Sequence, residues 1–217
     1  MSKKIGIVGT GVVGQALAKG FMQASHSVMI GSRDKEKLQK LRSELGESLL
    51  TGSFSDAATF GEIVVFTVKG TVGEAAVKLA GPDKLAGKGV IDTTNPIAEA
   101  PPVNGVLQFF TGPNQSLMET LQAAAPRAHF VKAWSCVGSA FMIHPNFPGG
   151  RPTMFICGND GAAKKTVQEL LDQFGWDCED MGAVEAARAI EPLCQLWCIP
   201  GLRSNQWSHA FKLLKLS

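Results

Sequence analysis

The sequence predicts an α/β protein: a doubly wound, mainly parallel sheet with a small helical part at the C-terminus. Two observations predict it. Strand-like and helix-like segments alternate along most of the chain. The first strand also runs straight into a glycine turn and a helix, Lys4-Ile5-Gly6-Ile7-Val8-Gly9-Thr10-Gly11-Val12-Val13-Gly14. Gly9, Gly11 and Gly14 fit G-x-G-x-x-G, the dinucleotide fingerprint of Rossmann-like folds. The first glycine allows the sharp turn, the second lets bare backbone approach a pyrophosphate, and the third lets helix and strand pack closely. The unpaired N–H groups at the helix start then face the phosphates.

The remaining elements follow in order. Val13, Leu17, Gly20, Phe21 and Ala24 share one face of the first helix. Ser27 to Gly31 is the next strand, and Leu38, Leu41 and Leu45 mark a helix that stops at Gly46. Ser55 to Ala58 reads as a short capped helix. Ile63 to Val68 is a buried strand, Gly73 to Ala80 a helix stopped by Gly81-Pro82, and Gly89 to Thr94 a strand halted by Asn95-Pro96. Residues 97–114, rich in proline, glycine and asparagine, form a long loop. A helix follows over 116–124 and a strand over 129–134. Residues 136–152 read as a loop and helix insertion near the active site, and Thr153 to Gly158 as a strand. Asp160 caps a helix that carries Val167, Leu170, Leu171 and Phe174, and Asp177 to Met181 is an edge strand. Residues 1–182 thus make the nucleotide-binding domain. Residues 183–217 are helical, broken at Pro192 and Pro200-Gly201, and end in an apolar face of Trp207, Ala210, Phe211 and Leu214. That end is too small to hold a core alone and should pack on the sheet or on a second subunit.

Bulk properties narrow the class. With 217 residues, 45% of them hydrophobic, the chain can bury one full core, and a net charge of +2 argues against nucleic acid and anionic membrane surfaces as partners. No apolar run approaches the ~18 residues of a membrane span. The first strand starts by residue 5, which leaves no room for a signal or transit peptide. The five cysteines are scattered, odd in number and without a C-x-x-C, as expected of reduced thiols in a cytoplasmic protein.

The second strand ends in Ser32-Arg33, where an NAD-specific fold carries an acid ~20 residues after the glycines. Arg33 can pair with a 2′-phosphate through its planar guanidinium, Ser32 adds a hydrogen bond, and Lys37 adds a charge one helical turn on. Asp34 starts the next helix instead of reading a ribose. The expected cofactor is therefore NADP(H). Ligands of such sheets sit outside the carboxyl ends of the strands. Val68 and Lys69 should lie along the second ribose, and Asn95 and Pro96 should approach the nicotinamide. Trp134, Ser135, Cys136 and Val137, with Gly138, should wall the second-substrate site. Acid–base groups are scarce there. The chain has no tyrosine, His26 should face solvent, His129 should begin a strand, and His209 should belong to the final helix. Lys132 should point outward, which leaves His144 as the histidine nearest a site. No catalytic acid or base is assigned, and no metal-site pattern occurs. The pattern suits a hydride transfer governed by positioning.

The segments Gly9-Thr10-Gly11-Val12-Val13-Gly14, Gly31-Ser32-Arg33 with Lys37, Cys157-Gly158-Asn159-Asp160 and Ile190-Glu191-Pro192-Leu193 resemble the NADPH-dependent coenzyme F420 reductases, also called F420H2:NADP oxidoreductases. The likeness covers nearly the whole chain and extends to flavin-using ferric reductases of a membrane type. It implies a homodimer, a Rossmann-like sheet extended by extra strands, and hydride passing between nicotinamide C4 and deazaflavin C5. By this resemblance, Thr10, Gly11, Val12 and Val13 form the pyrophosphate loop, and Ser32, Arg33 and Lys37 the 2′-phosphate site. Archaeal members carry His-Thr-Ile-Pro in the deazaflavin pocket, where this chain has Trp134-Ser135-Cys136-Val137-Gly138. The second substrate is thus F420, FMN or another flat acceptor. A small carbonyl or imine substrate, which needs a proton donor, is one rival reading. A non-catalytic NADP-binding redox sensor is another.

Overall fold

A computed structural model describes residues 2–216. Six parallel strands form the main sheet: β1 (Lys4–Val8), β2 (Ser27–Gly31), β3 (Leu50–Gly52), β4 (Ile63–Phe66), β5 (Gly89–Asp92) and β6 (His129–Lys132). Their order is β3-β2-β1-β4-β5-β6, the doubly wound Rossmann arrangement, as expected. Helices α1 (Val12–Gln23), α2 (Lys35–Leu45), α3 (Phe54–Phe60), α4 (Gly73–Ala80), α5 (Pro82–Leu85) and α6 (Leu117–Ala124) connect the strands. Beyond them lie β7 (Thr153–Ile156), α7 (Gly161–Gln173), β8 (Asp177–Asp180), α8 (Ala187–Ile190) and α9 (Pro192–Ser204). Strands β7 and β8 pair parallel as a second sheet, tied to the first by an antiparallel bridge from Lys132 to Cys157.

Strands buried on both faces need apolar residues in every position, and β4, Ile-Val-Val-Phe, is buried throughout. Successive side chains serve opposite layers. Ile7 packs with Leu17 and Phe21 of α1 and Leu170 of α7. Val8 packs with Val77 of α4, Met118 of α6 and Ala187 of α8. Helix α6 starts at a capping box in which Ser116 and Glu119 satisfy each other's backbone.

Several expectations are corrected. The cap of α3 is Ser53, boxed with Asp56, and not Ser55. Strand β3 has no counterpart among the expected elements, because three residues carry almost no period. Gly81-Pro82 ends α4 but opens the short α5, with proline in its first turn. Helix α9 starts at Pro192 and runs through Pro200 and Gly201 unbroken. The apolar stretch from Trp207 to Leu214 is not a helix. It lies along β7, where Thr153 N–H donates to the Phe211 carbonyl at 2.8 Å and Leu213 N–H to Thr153 Oγ1 at 3.0 Å. His209 therefore belongs to no helix, and it stacks on Trp197 with ring centroids 4.9 Å apart. His26 is buried rather than solvent-facing, its ring accepting from Lys3 N–H and bonding Gln173 Oε1.

Candidate active site

The carboxyl ends of β1, β2, β4 and β5 open onto two clefts. The turn after β1 is fixed from inside. Gly9 adopts φ +119°, the left-handed region, and a Cβ there would meet Thr67 Oγ1 at 2.8 Å. Thr67 is buried and donates to the carbonyls of Val8 and Gly9, both at 3.1 Å, so one hydroxyl pins the turn. A Cβ on Gly14 would strike the Gly9 carbonyl, which is why α1 sits so close to β1. Gly11 differs. Its missing Cβ would meet nothing within 4 Å, so the space beside it is open. Helix α1 begins there without a side-chain cap, which leaves its first N–H groups, those of Val12 and Val13 among them, aimed at that space. The turn fits a pyrophosphate.

The end of β2 completes this first cleft, a cavity of about 650 Å³ to which Thr10, Ser32, Arg33 and Lys37 contribute. Thr10 Oγ1 reaches Ser32 Oγ at 3.4 Å, joining the two strand ends. Arg33 is exposed and, among the described residues, forms no ion pair. Asp34 is committed elsewhere. Its Oδ1 accepts the Lys37 N–H at 3.1 Å and caps α2, and its Oδ2 lies 3.7 Å from Lys37 Nζ. Asp34 thus caps the helix while it also lines the cleft, where it stands between Arg33 and Lys37.

Val68 and Lys69 line this cleft and also the next, of about 390 Å³, where Val13, Thr93, Thr94 and Asn95 join them. Asn95 Nδ2 donates to the Ser135 carbonyl at 2.7 Å, while its Oδ1 is buried with no partner among the described residues. Asn95 lines the cleft, and its unpartnered acceptor is the group there that a ligand N–H would satisfy. Pro96 is buried and does not line the cleft; its carbonyl accepts Phe110 N–H at 2.9 Å and anchors the 97–114 loop. A neighbouring cavity of about 680 Å³ shares Gly70, Thr71, Ala98 and Glu99 with this cleft and is walled by Phe110 and Gln115.

The expected second-substrate wall is corrected. Trp134, Ser135, Cys136 and Val137 are all buried in the core and contribute to none of the clefts described. Trp134 holds a left-handed φ of +55°, unusual for a bulky residue, and its indole N–H donates to the Met142 carbonyl at 3.1 Å. Its ring packs edge-on to Phe21. Burial pushes the Cys136 thiol up to about 12, so it is no nucleophile near neutral pH. His144 is exposed, packs edge-on against Phe174 and lines neither cleft.

Lys132 is the other correction, because it points inward and is completely buried. Its Nζ lies 2.6 Å from Asp92 Oδ2 and 2.8 Å from Glu191 Oε1, and donates to the Thr94 carbonyl at 2.8 Å. Asp92 Oδ1 accepts the N–H and hydroxyl of Thr94 at 2.9 and 2.6 Å. Glu191 accepts the N–H groups of Leu117 and Met118, both at 3.0 Å, at the start of α6. Burial alone would push the Lys132 ammonium down, but Asp92 and Glu191 outweigh it and hold it above the ordinary lysine value. The cluster grips Thr94, a wall of the second cleft. One sequence signal was available for it: Lys132 stands among Phe130, Val131, Ala133 and Trp134, all apolar.

Comparison with known proteins places the chain among similar ones. The family model for NADP oxidoreductase, coenzyme F420-dependent, matches residues 4–96. Metalloreductase STEAP3 of Rattus norvegicus is 30% identical over 203 residues, 92% of this chain; the chain spans only 38% of the rat protein's length. The F420-dependent NADP reductase of Methanocaldococcus jannaschii is 29% identical over 204 residues, 89% of this chain and 90% of the archaeal one. A crystal structure from Arthrobacter sp. FB24, provisionally assigned as an F420-dependent NADP-reductase, matches with a TM-score of 0.91 and 30% identity over 99% of this chain and 100% of that one.

Proposed function

This chain belongs to the coenzyme F420-dependent NADP oxidoreductase family, and from that premise we propose that it binds NADP(H) and passes a hydride between the nicotinamide and a flat deazaflavin- or flavin-like acceptor. The observation that carries the cofactor choice is the end of β2. Arg33, which forms no ion pair among the described residues, offers positive charge to a 2′-phosphate, and Lys37 balances Asp34 beside it. The open space at Gly11 and the uncapped start of α1 receive the pyrophosphate. Val68 and Lys69 flank the second ribose. Asn95 Oδ1 accepts from the nicotinamide carboxamide, which orients the ring.

Bound NADPH supplies the hydride. The protein's work is to place the ring against the acceptor and keep water out, and Val13, Val68 and Thr93 form the apolar and hydroxyl-bearing walls for that. No histidine lines either cleft among the described residues; Lys69 and Glu99 are the titratable side chains at the second one. We place the protein in the cytoplasm as a homodimer. No helix among the described residues is long and apolar enough to cross a membrane, and Leu196, Leu202 and Trp207 are exposed apolar side chains that a second copy would cover.

The test follows NADPH absorbance after addition of oxidised F420 and, separately, FMN. Oxidation with either acceptor is expected. NADPH that binds but is not oxidised by any flat acceptor would contradict the proposal.

A further inference from the structure

We infer that the buried Asp92–Lys132–Glu191 cluster adds a fixed negative charge behind the nicotinamide pocket, whose own lining pairs one cation, Lys69, with one acid, Glu99, and so biases it toward the oxidised, cationic ring over the reduced, neutral one. This inference rests on NADP(H) occupying the cleft as proposed above. Each carboxylate acts only as an acceptor, Asp92 Oδ1 from Thr94 N–H and O–H and Glu191 from two backbone N–H groups, and each is ion-paired with Lys132, whose Nζ lies 2.6 Å from Asp92 Oδ2 and 2.8 Å from Glu191 Oε1. Acceptor-only geometry marks both as ionised. One ammonium between two carboxylates leaves one net negative charge, and no other cation pairs with either acid among the described residues. The N-terminus of α6 offsets part of the charge on Glu191. Nothing comparable offsets Asp92, whose remaining partners belong to Thr94.

Thr94 is held at its N–H, its hydroxyl and its carbonyl by this cluster, and together with Asn95 it lines the cleft. The negative charge therefore sits one residue behind the pocket wall, in a fully buried and weakly screened position. In the hydride step the C4–H bond of the reduced nicotinamide breaks, and the hydrogen leaves with both electrons. A bond to hydrogen forms on the acceptor ring. The nicotinamide thereby passes from neutral to positive. A fixed negative charge stabilises that change, by an amount on the order of tenfold in affinity at an effective dielectric of about 20. A buried ion cluster is seldom the most stable filling for a core. Its place behind the cleft gives it a role that apolar residues of the same size cannot fill.

The test measures equilibrium binding of NADP+ and NADPH separately by calorimetry, for the wild-type protein, Asp92→Asn and Glu191→Gln. Asp92→Asn is nearly isosteric and brings the cluster to neutrality. NADP+ should bind it about tenfold more weakly, while NADPH changes less than about twofold. Glu191→Gln removes the same charge from the α6 side, should act in the same direction with a smaller ratio, and serves if Asp92→Asn does not fold. Equal weakening of both dinucleotides would reduce the cluster to a structural brace and overturn the inference, as would no change in either. Failure of the wild-type protein to bind either dinucleotide would overturn the functional proposal itself, and this inference with it.

Discussion

The ammonium of Lys132 lies 2.8 Å from the carboxylate of Glu191, across 59 residues of sequence, with both side chains shut away from water. The contact joins the end of β6 to the start of α9. Removing the cation leaves two carboxylates facing each other in the core, a far worse state than the intact cluster. Lys132→Met should lower unfolding free energy by about 3–5 kcal/mol, read from urea denaturation at neutral pH. A loss below about 1 kcal/mol, the scale of an exposed pair, would show that these acids do not depend on the lysine.

Gly11 separates folding from binding. An added Cβ has open space around it, and the residue's φ of −70° suits alanine. Gly11→Ala should therefore cost less than about 1 kcal/mol of stability. The same methyl occupies the space assigned to the pyrophosphate, so NADPH affinity should fall by tenfold or more, about 1.4 kcal/mol or greater. Thermal unfolding and calorimetry on one sample decide it. Unchanged affinity would mean that the phosphates do not pass over this turn.

Glu119 carries a pH signature. Its hydrogen bonds to Arg188 lead the causes that hold its carboxyl down at about 2, and Ser116 adds to them. The folded value lies below the ordinary 4.5, so its stabilising contribution is complete above about pH 4.5 and drains away as pH falls toward 2. Stability should fall over that window in the wild-type protein and fall less steeply in Glu119→Gln. Parallel slopes would remove Glu119 from the account of acid sensitivity.

What was legible in the sequence was local. Gly9 and Gly14 announce a turn that only glycine can make, and Ser32-Arg33 stands where a strand must end. Asp34 and Asp160 were readable as caps because a cap acts within three residues. The Lys132 cluster was hidden because its partners lie 40 residues before it and 59 after it, and side-chain period says nothing of such pairs. Its apolar neighbours were the available warning. The stretch from Trp207 to Leu214 misled because its apolar spacing suits a helix, whereas the edge of β7 offered backbone partners that local spacing cannot register. Trp134 to Val137 follow a strand end, the position from which the pocket was expected to be walled. The left-handed turn at Trp134 instead folds them into the core between Phe21 and Met142.

The measurement that bears most directly on the cofactor is the pair of dissociation constants for NADPH and NADH, in the wild-type protein and in Arg33→Ala. A charged hydrogen-bonding partner is worth about 1.5–3 kcal/mol, so NADPH binding should weaken by roughly tenfold to a hundredfold while NADH binding holds steady. Equal losses for the two dinucleotides, or a wild-type protein that already prefers NADH, would contradict the assignment of a 2′-phosphate site to the end of β2.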